Sequence, residues 1–191
     1  MLYRLLEEQV VPLFYERNEK GIPVSWVARV RASMTRLTPR YSSTRMMKEY
    51  VEKVYQPAAE AYRQRTADGA RQAVELAAWQ ERLGENWNGL RFGRLVYSRE
   101  NDVLSFQLEV YLGELSLQDV QVELYADPLG EKPAEKVVMA RGDPLAGSVN
   151  GYHFSAQVNP TRPAEDYTPR IIACHEGAFV PLEEAHILWM R

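Results

Sequence analysis

A chain of 191 residues with 46% hydrophobic and 26% charged side chains is long enough to bury a core and too apolar for disorder to dominate. No apolar run reaches the roughly 18 residues that span a bilayer, and no basic-then-apolar leader opens the chain, so the reading is of a cytoplasmic protein with no membrane partner. A net charge of -3, with no recognised nucleic-acid module, argues against a nucleic-acid partner as well.

Apolar residues recur at helical spacing from Leu2 to about Leu83. A first helix carries the stripe Leu2, Leu5, Leu6, Val10 and Leu13, and Pro12 is expected to kink or end it near Val11. Gly21 and Pro23 mark a break before a second helix with Trp26, Val27, Val30, Met34 and Leu37, which Pro39 closes. Ser42, Ser43 and Thr44 can cap a third, with Met47, Tyr50, Val51, Val54 and Tyr62 on its stripe. Asp68 can cap a fourth, running through Ala70, Val74, Ala77 and Ala78 to Leu83, where Gly84 is placed to end it.

After Gly84–Gly89 the period changes to two. Leu104, Phe106, Leu108, Val110 and Leu112 alternate with Ser105, Gln107, Glu109 and Tyr111, and the pattern returns over Val120–Leu124 and Tyr152–Val158. Further strands are expected at 90–97, 136–141, 168–175 and 185–190. The expected fold is therefore α+β: an N-terminal helical segment of about four helices, then an antiparallel immunoglobulin-like β-sandwich of about seven strands. The expected division is 1–86, helical, and 87–191, β-sandwich. The former holds 14 basic and 11 acidic side chains, the latter 9 and 15, so any mutual attraction is weak and screened by salt.

The chemistry-bearing residues form no recognisable constellation. His153, His175 and His186 are far apart, with no close pair at metal-ligand spacing, and are read as strand-end or polar-face residues. The lone Cys174 reads as a small buried thiol. No nucleophile elbow, phosphate loop or dinucleotide fingerprint occurs. Arg29, Arg31, Arg36, Arg40, Arg45 and Lys48 form a basic window without an acid, able to receive phosphate or an acidic surface, though a solvated helix face explains it more simply. Trp87, Tyr97, Tyr111 and Tyr125 could stack on sugar rings, while packing is the simpler reading; Trp26, Trp79 and Trp189 read as core or interface.

Three segments, PLFYER (Pro12–Arg17), TPRYSSTRMMKEYV (Thr38–Val51) and YQPA (Tyr55–Ala58), resemble the C-terminal part of the α-glucan (glycogen and maltodextrin) phosphorylases. Weaker echoes in Gly113–Tyr125, Tyr167–His175 and His186–Arg191 are similar to the C-terminal extension of the shorter bacterial branch. The resemblance implies a parent enzyme that splits α-1,4-glucan with phosphate to release glucose 1-phosphate, using pyridoxal phosphate. In that family the cofactor lysine lies in a motif resembling EASGTSGMK, upstream of the matching region. Lys20, Lys48, Lys53, Lys132 and Lys136 stand in other contexts, so no catalytic, cofactor-binding or metal residue is carried over and the isolated chain is expected to be inactive.

The leading reading is a C-terminal phosphorylase segment with a structural or accessory role, whose partner is the remainder of the phosphorylase chain. Apolar stripes left open would make self-association, a homo-oligomer, an alternative state. The competing reading is a stand-alone module that binds α-glucan or regulates through protein contacts.

Overall fold

A computed structural model describes all residues, Met1–Arg191, and two compact units divide the chain at 62/63. The helical part corrects the expectation of about four helices. Residues 2–15 form one helix of 14 residues (α1), and residues 24–89 form one helical run of 66 (α2). The reason lies in how the proposed stops are accommodated. Pro12 does not end α1, because a π-helical turn, Leu6–Val10, precedes it. The proline ring would press on the carbonyl four residues back, that of Glu8, and the wider turn there relieves the clash. The same device recurs before Pro57, where Val51–Tyr55 is π-helical. Pro39 lies inside the helical stretch Val24–Tyr41, and the backbone turns extended only at Ser42, whose Oγ accepts the Arg45 N–H at 3.3 Å.

Asp68 and Gly84 also behave differently from expectation. Ala67 is extended and Asp68, Gly69 and Ala70 are left-handed, with φ of 49°, 69° and 62°, so Asp68 stands in a corner of α2 rather than at a cap. A left-handed Ala costs about 1 kcal/mol, which the surrounding contacts must offset. Gly84 is interior to a helix that continues to Asn86 and into the tight turn Trp87–Gly89. Leu76, Trp79, Leu83 and Trp87 follow one another at spacings of three and four and are all buried, so packing carries the helix past the glycine.

In the unit 1–62, α1 and the start of α2 form a hairpin. Asn18 Oδ1 accepts the N–H groups of Lys20 and Ile22, both at 3.0 Å, and Gly21 takes the left-handed conformation, φ 74°. Phe14 meets Trp26 edge-on, with centroids 5.7 Å apart. None of residues 1–62 is buried.

The unit 63–191 holds two four-stranded antiparallel sheets. Strands β1 (Arg91–Glu100), β2 (Val103–Tyr111), β6 (Gly151–Val158) and β5 (Ala140–Pro144) form one, in the order β1-β2-β6-β5. Strands β4 (Glu135–Val138), β3 (Val120–Ala126), β7 (Thr168–Ala173) and β8 (Ile187–Trp189) form the other, in the order β4-β3-β7-β8. The single strand expected at 136–141 is two: the chain leaves one sheet for the other at Met139, which is buried. Phe106 and Leu108 of β2, Val122 and Leu124 of β3, Phe154 of β6 and Ile171 of β7 face one core, which Trp79 and Leu83 of α2 complete. Asp119 fastens the helix to this core. Its carbonyl accepts Trp79 Nε1–H at 3.3 Å, and its carboxylate accepts from Arg82, from the Ser116 N–H and from the Ser116 hydroxyl.

Candidate functional site

The histidines stay apart. His153 is exposed on β6. His175 lies 5.2 Å from Trp79 and its Nδ1 accepts the Gly177 N–H, while His186 pairs with Glu184 beside Trp87. No three His, Cys, Asp or Glu side chains gather closely enough to hold a metal ion. Cys174 is half-buried, and burial pushes its thiol pKa up, away from the reactive thiolate.

The basic window divides in two. Arg45 and Lys48 face Glu49 and Glu52 at 3.6 and 3.8 Å along the helix. Arg29, Arg31, Arg36 and Arg40 are exposed on Val24–Tyr41, a stretch without a carboxylate. Around them the unit 1–62 carries 21 of the 30 large hydrophobic side chains that the chain exposes, Met34, Leu37, Met47 and Val54 among them. Patches of this extent are characteristic of surfaces that bind another protein surface.

The four aromatic candidates separate by environment. Trp87 is in the core. The Tyr97 hydroxyl donates to Glu165 at 2.9 Å. Tyr125 is covered by Arg170, whose guanidinium lies 4.4 Å from its ring, and by the edge of Trp189, with Arg170 itself paired to Glu123. Tyr111 alone combines a free hydroxyl with an open cleft of about 740 Å³, formed where residues 88–91, the turn at 113–114 and the loop 146–150 meet. Of that cleft only Tyr111 stood out in the sequence; the segments 88–91, 113–114 and 146–150 that meet beside it are brought together by the fold alone.

The residues present do not fit pyridoxal phosphate. A cofactor lysine needs an enclosed pocket that lowers its pKa. Lys20, Lys48, Lys53, Lys132 and Lys136 are all exposed, and none lines the large cleft. No helix is long and apolar enough to cross a membrane.

The architecture is thus an exposed helical segment in one chain with a unit of two antiparallel sheets. The chain is homologous to a segment of the α-glucan phosphorylases. It is 30% identical over 187 residues to glycogen phosphorylase of Mycobacterium tuberculosis, covering 85% of this chain and 21% of that protein. Maltodextrin phosphorylase of Thermococcus litoralis is 29% identical over 181 residues, covering 92% and 21%. Glycogen phosphorylase of Aquifex aeolicus is 43% identical over 54 residues, 28% of this chain. The chain therefore spans about a fifth of the length of the first two relatives. No family profile matches it.

Proposed function

We propose that this chain is the C-terminal portion of an α-glucan phosphorylase and serves that enzyme as a structural, accessory part. The observation that carries the reading is the helical unit: 62 residues without one buried side chain, bearing most of the exposed large hydrophobic residues. Isolated helices gain most of their stability from burying an apolar face, so this segment requires a covering surface. The remainder of the phosphorylase polypeptide supplies it, and self-association follows when that remainder is missing. In this reading the phosphorolysis of α-1,4-glucan belongs to the whole cytoplasmic enzyme, and pyridoxal phosphate is held by residues outside the chain.

Two experiments test this. An antibody against the chain, used on a denaturing blot of the source cells, is expected to reveal a band far above 22.0 kDa; a band at that mass overturns the proposal. The purified chain, given glycogen and phosphate, is expected to release no glucose 1-phosphate, and measurable release would show that it is an enzyme in its own right.

A further inference from the structure

We infer that residues 67–70 form a latched hinge in α2, able to exchange the bend of this structure for one unbroken helix. The inference goes beyond the phosphorylase proposal and does not depend on it. Its first support is a conflict between local and tertiary preference. Asp68 and Ala70, with φ of 49° and 62°, hold a left-handed backbone that crowds their Cβ atoms against a neighbouring carbonyl oxygen. Only Gly69, at φ 69°, takes that conformation without the penalty. Ala67 and Ala70 belong to the best helix-forming residue type, and no proline lies between Ala58 and Asn86. Helix continues on both sides of the corner. Local preference therefore favours a straight helix where the structure bends.

The second support is that the contacts holding the bend are incompatible with a straight helix. Arg65, before the corner, donates to the Glu183 carboxylate, and Gln80, after it, donates to the Glu183 carbonyl. In an unbroken helix positions 65 and 80 would stand about 22 Å apart, and side chains that radiate from the axis do not both reach one residue across that span. The Glu183 carboxylate cannot swing out to help, because the Phe179 N–H holds it in its own loop at 2.9 Å. Gly177 completes the latch: its carbonyl accepts from Arg65 at 2.6 Å, and a Cβ on it would stand 2.7 Å from Gln72 Nε2, so this loop presses on the helix just past the corner. The latch also carries a cost, since Arg65 Nε is buried without a hydrogen-bond partner and would regain water on release. Local strain thus favours the straight form and the latch favours the bend, which makes whatever holds or frees the loop 177–183 the control on the course of α2. Interchange passes through a form in which 67–70 is neither corner nor helix, the form open to a protease.

The test is pulsed electron paramagnetic resonance on the full chain, carrying C174S and spin labels at Q64C and E85C, both exposed positions of α2. An unbroken helix separates these two backbones by about 32 Å, and the bend brings them closer. With Arg65 present the shorter distance is expected to dominate. R65A should raise the ratio of the population near 32 Å to the bent one about tenfold, the effect of losing a charged bidentate bond. Adding A70G, which lets position 70 turn left-handed without a steric penalty and weakens the straight helix, should reverse that gain. No gain near 32 Å in R65A, a broad featureless distribution in its place, or a gain that A70G leaves unchanged overturns the inference. None of these results bears on the mass seen by blot, so the two proposals fail separately.

Discussion

Arg65 grips Glu183 across 118 residues of sequence. Its two terminal nitrogens donate to the two carboxylate oxygens at 2.8 and 2.7 Å, and one also donates to the Gly177 carbonyl at 2.6 Å. Arg65 stands just before the left-handed corner at 67–70, and Gln80, after the corner, donates to the Glu183 carbonyl at 3.2 Å. Both sides of the corner are thus tied to one loop, which is what holds Ala70 in an unfavourable conformation.

Breaking that grip should loosen the corner. R65A or E183Q is expected to lower stability by about 1–2 kcal/mol, a charged bidentate bond discounted for partial exposure, and to speed proteolysis within 64–72. Chemical denaturation and timed trypsin digestion measure the two effects; unchanged cleavage would mean that the corner holds without the clamp.

The same pair predicts a pH dependence. Hydrogen bonds from Arg65, then from the Phe179 N–H, hold the Glu183 pKa at about 2, below its ordinary 4.5. The stability it adds is present above pH 4.5 and is lost as the pH falls toward about 2. Comparing parent and E183Q by thermal unfolding between pH 7 and pH 2 should show the gap narrowing on the acid side.

The α2 stripe is expected to be essential to the two sheets. Trp79 and Leu83 are both 0% exposed. W79A should cost about 3–5 kcal/mol and L83A about 2–5 kcal/mol in denaturant melts. A version beginning at Trp87 should bind a hydrophobic dye and lose its cooperative transition, because the core is left open on that side; a sharp transition would show that the sheets close without the helix.

Two glycines should respond in opposite directions. A Cβ at Gly84 meets nothing within 4 Å, so G84A is expected to raise stability by about 0.5–1 kcal/mol through helix propensity. A Cβ at Gly151 would stand 2.5 Å from Ser148 Oγ and 2.9 Å from Leu145 Cδ1, so G151A should destabilise the chain. If G84A proved destabilising, the helix would end where the sequence alone suggests.

Much of the fold is legible locally because backbone geometry imposes its own period. The alternation of Leu104 to Leu112 marks β2, the 3.6-residue spacing of Trp26 to Leu37 marks a helix, and Ser42 caps the segment that follows it. The helix stops misled because proline and glycine report only a local cost. Pro12 and Pro57 are absorbed by π-helical turns, and Gly84 by the burial of Leu83 and Trp87 on either side of it.

Sequence by itself determined the change of period near residue 90, the core positions that alternate along β2, β3 and β6 and, through PLFYER and TPRYSSTRMMKEYV, the kinship with α-glucan phosphorylases. Tertiary structure alone decided that Met139 carries the chain between sheets, that Arg65 meets Glu183 and that Asn88, Tyr111, Glu114 and Ser148 share a cleft. The physical reason is the range of the interactions. Periodicity reflects forces between residues a few positions apart, whereas a cleft and a clamp depend on which distant segments close together, and that choice is made by burial summed over the whole core.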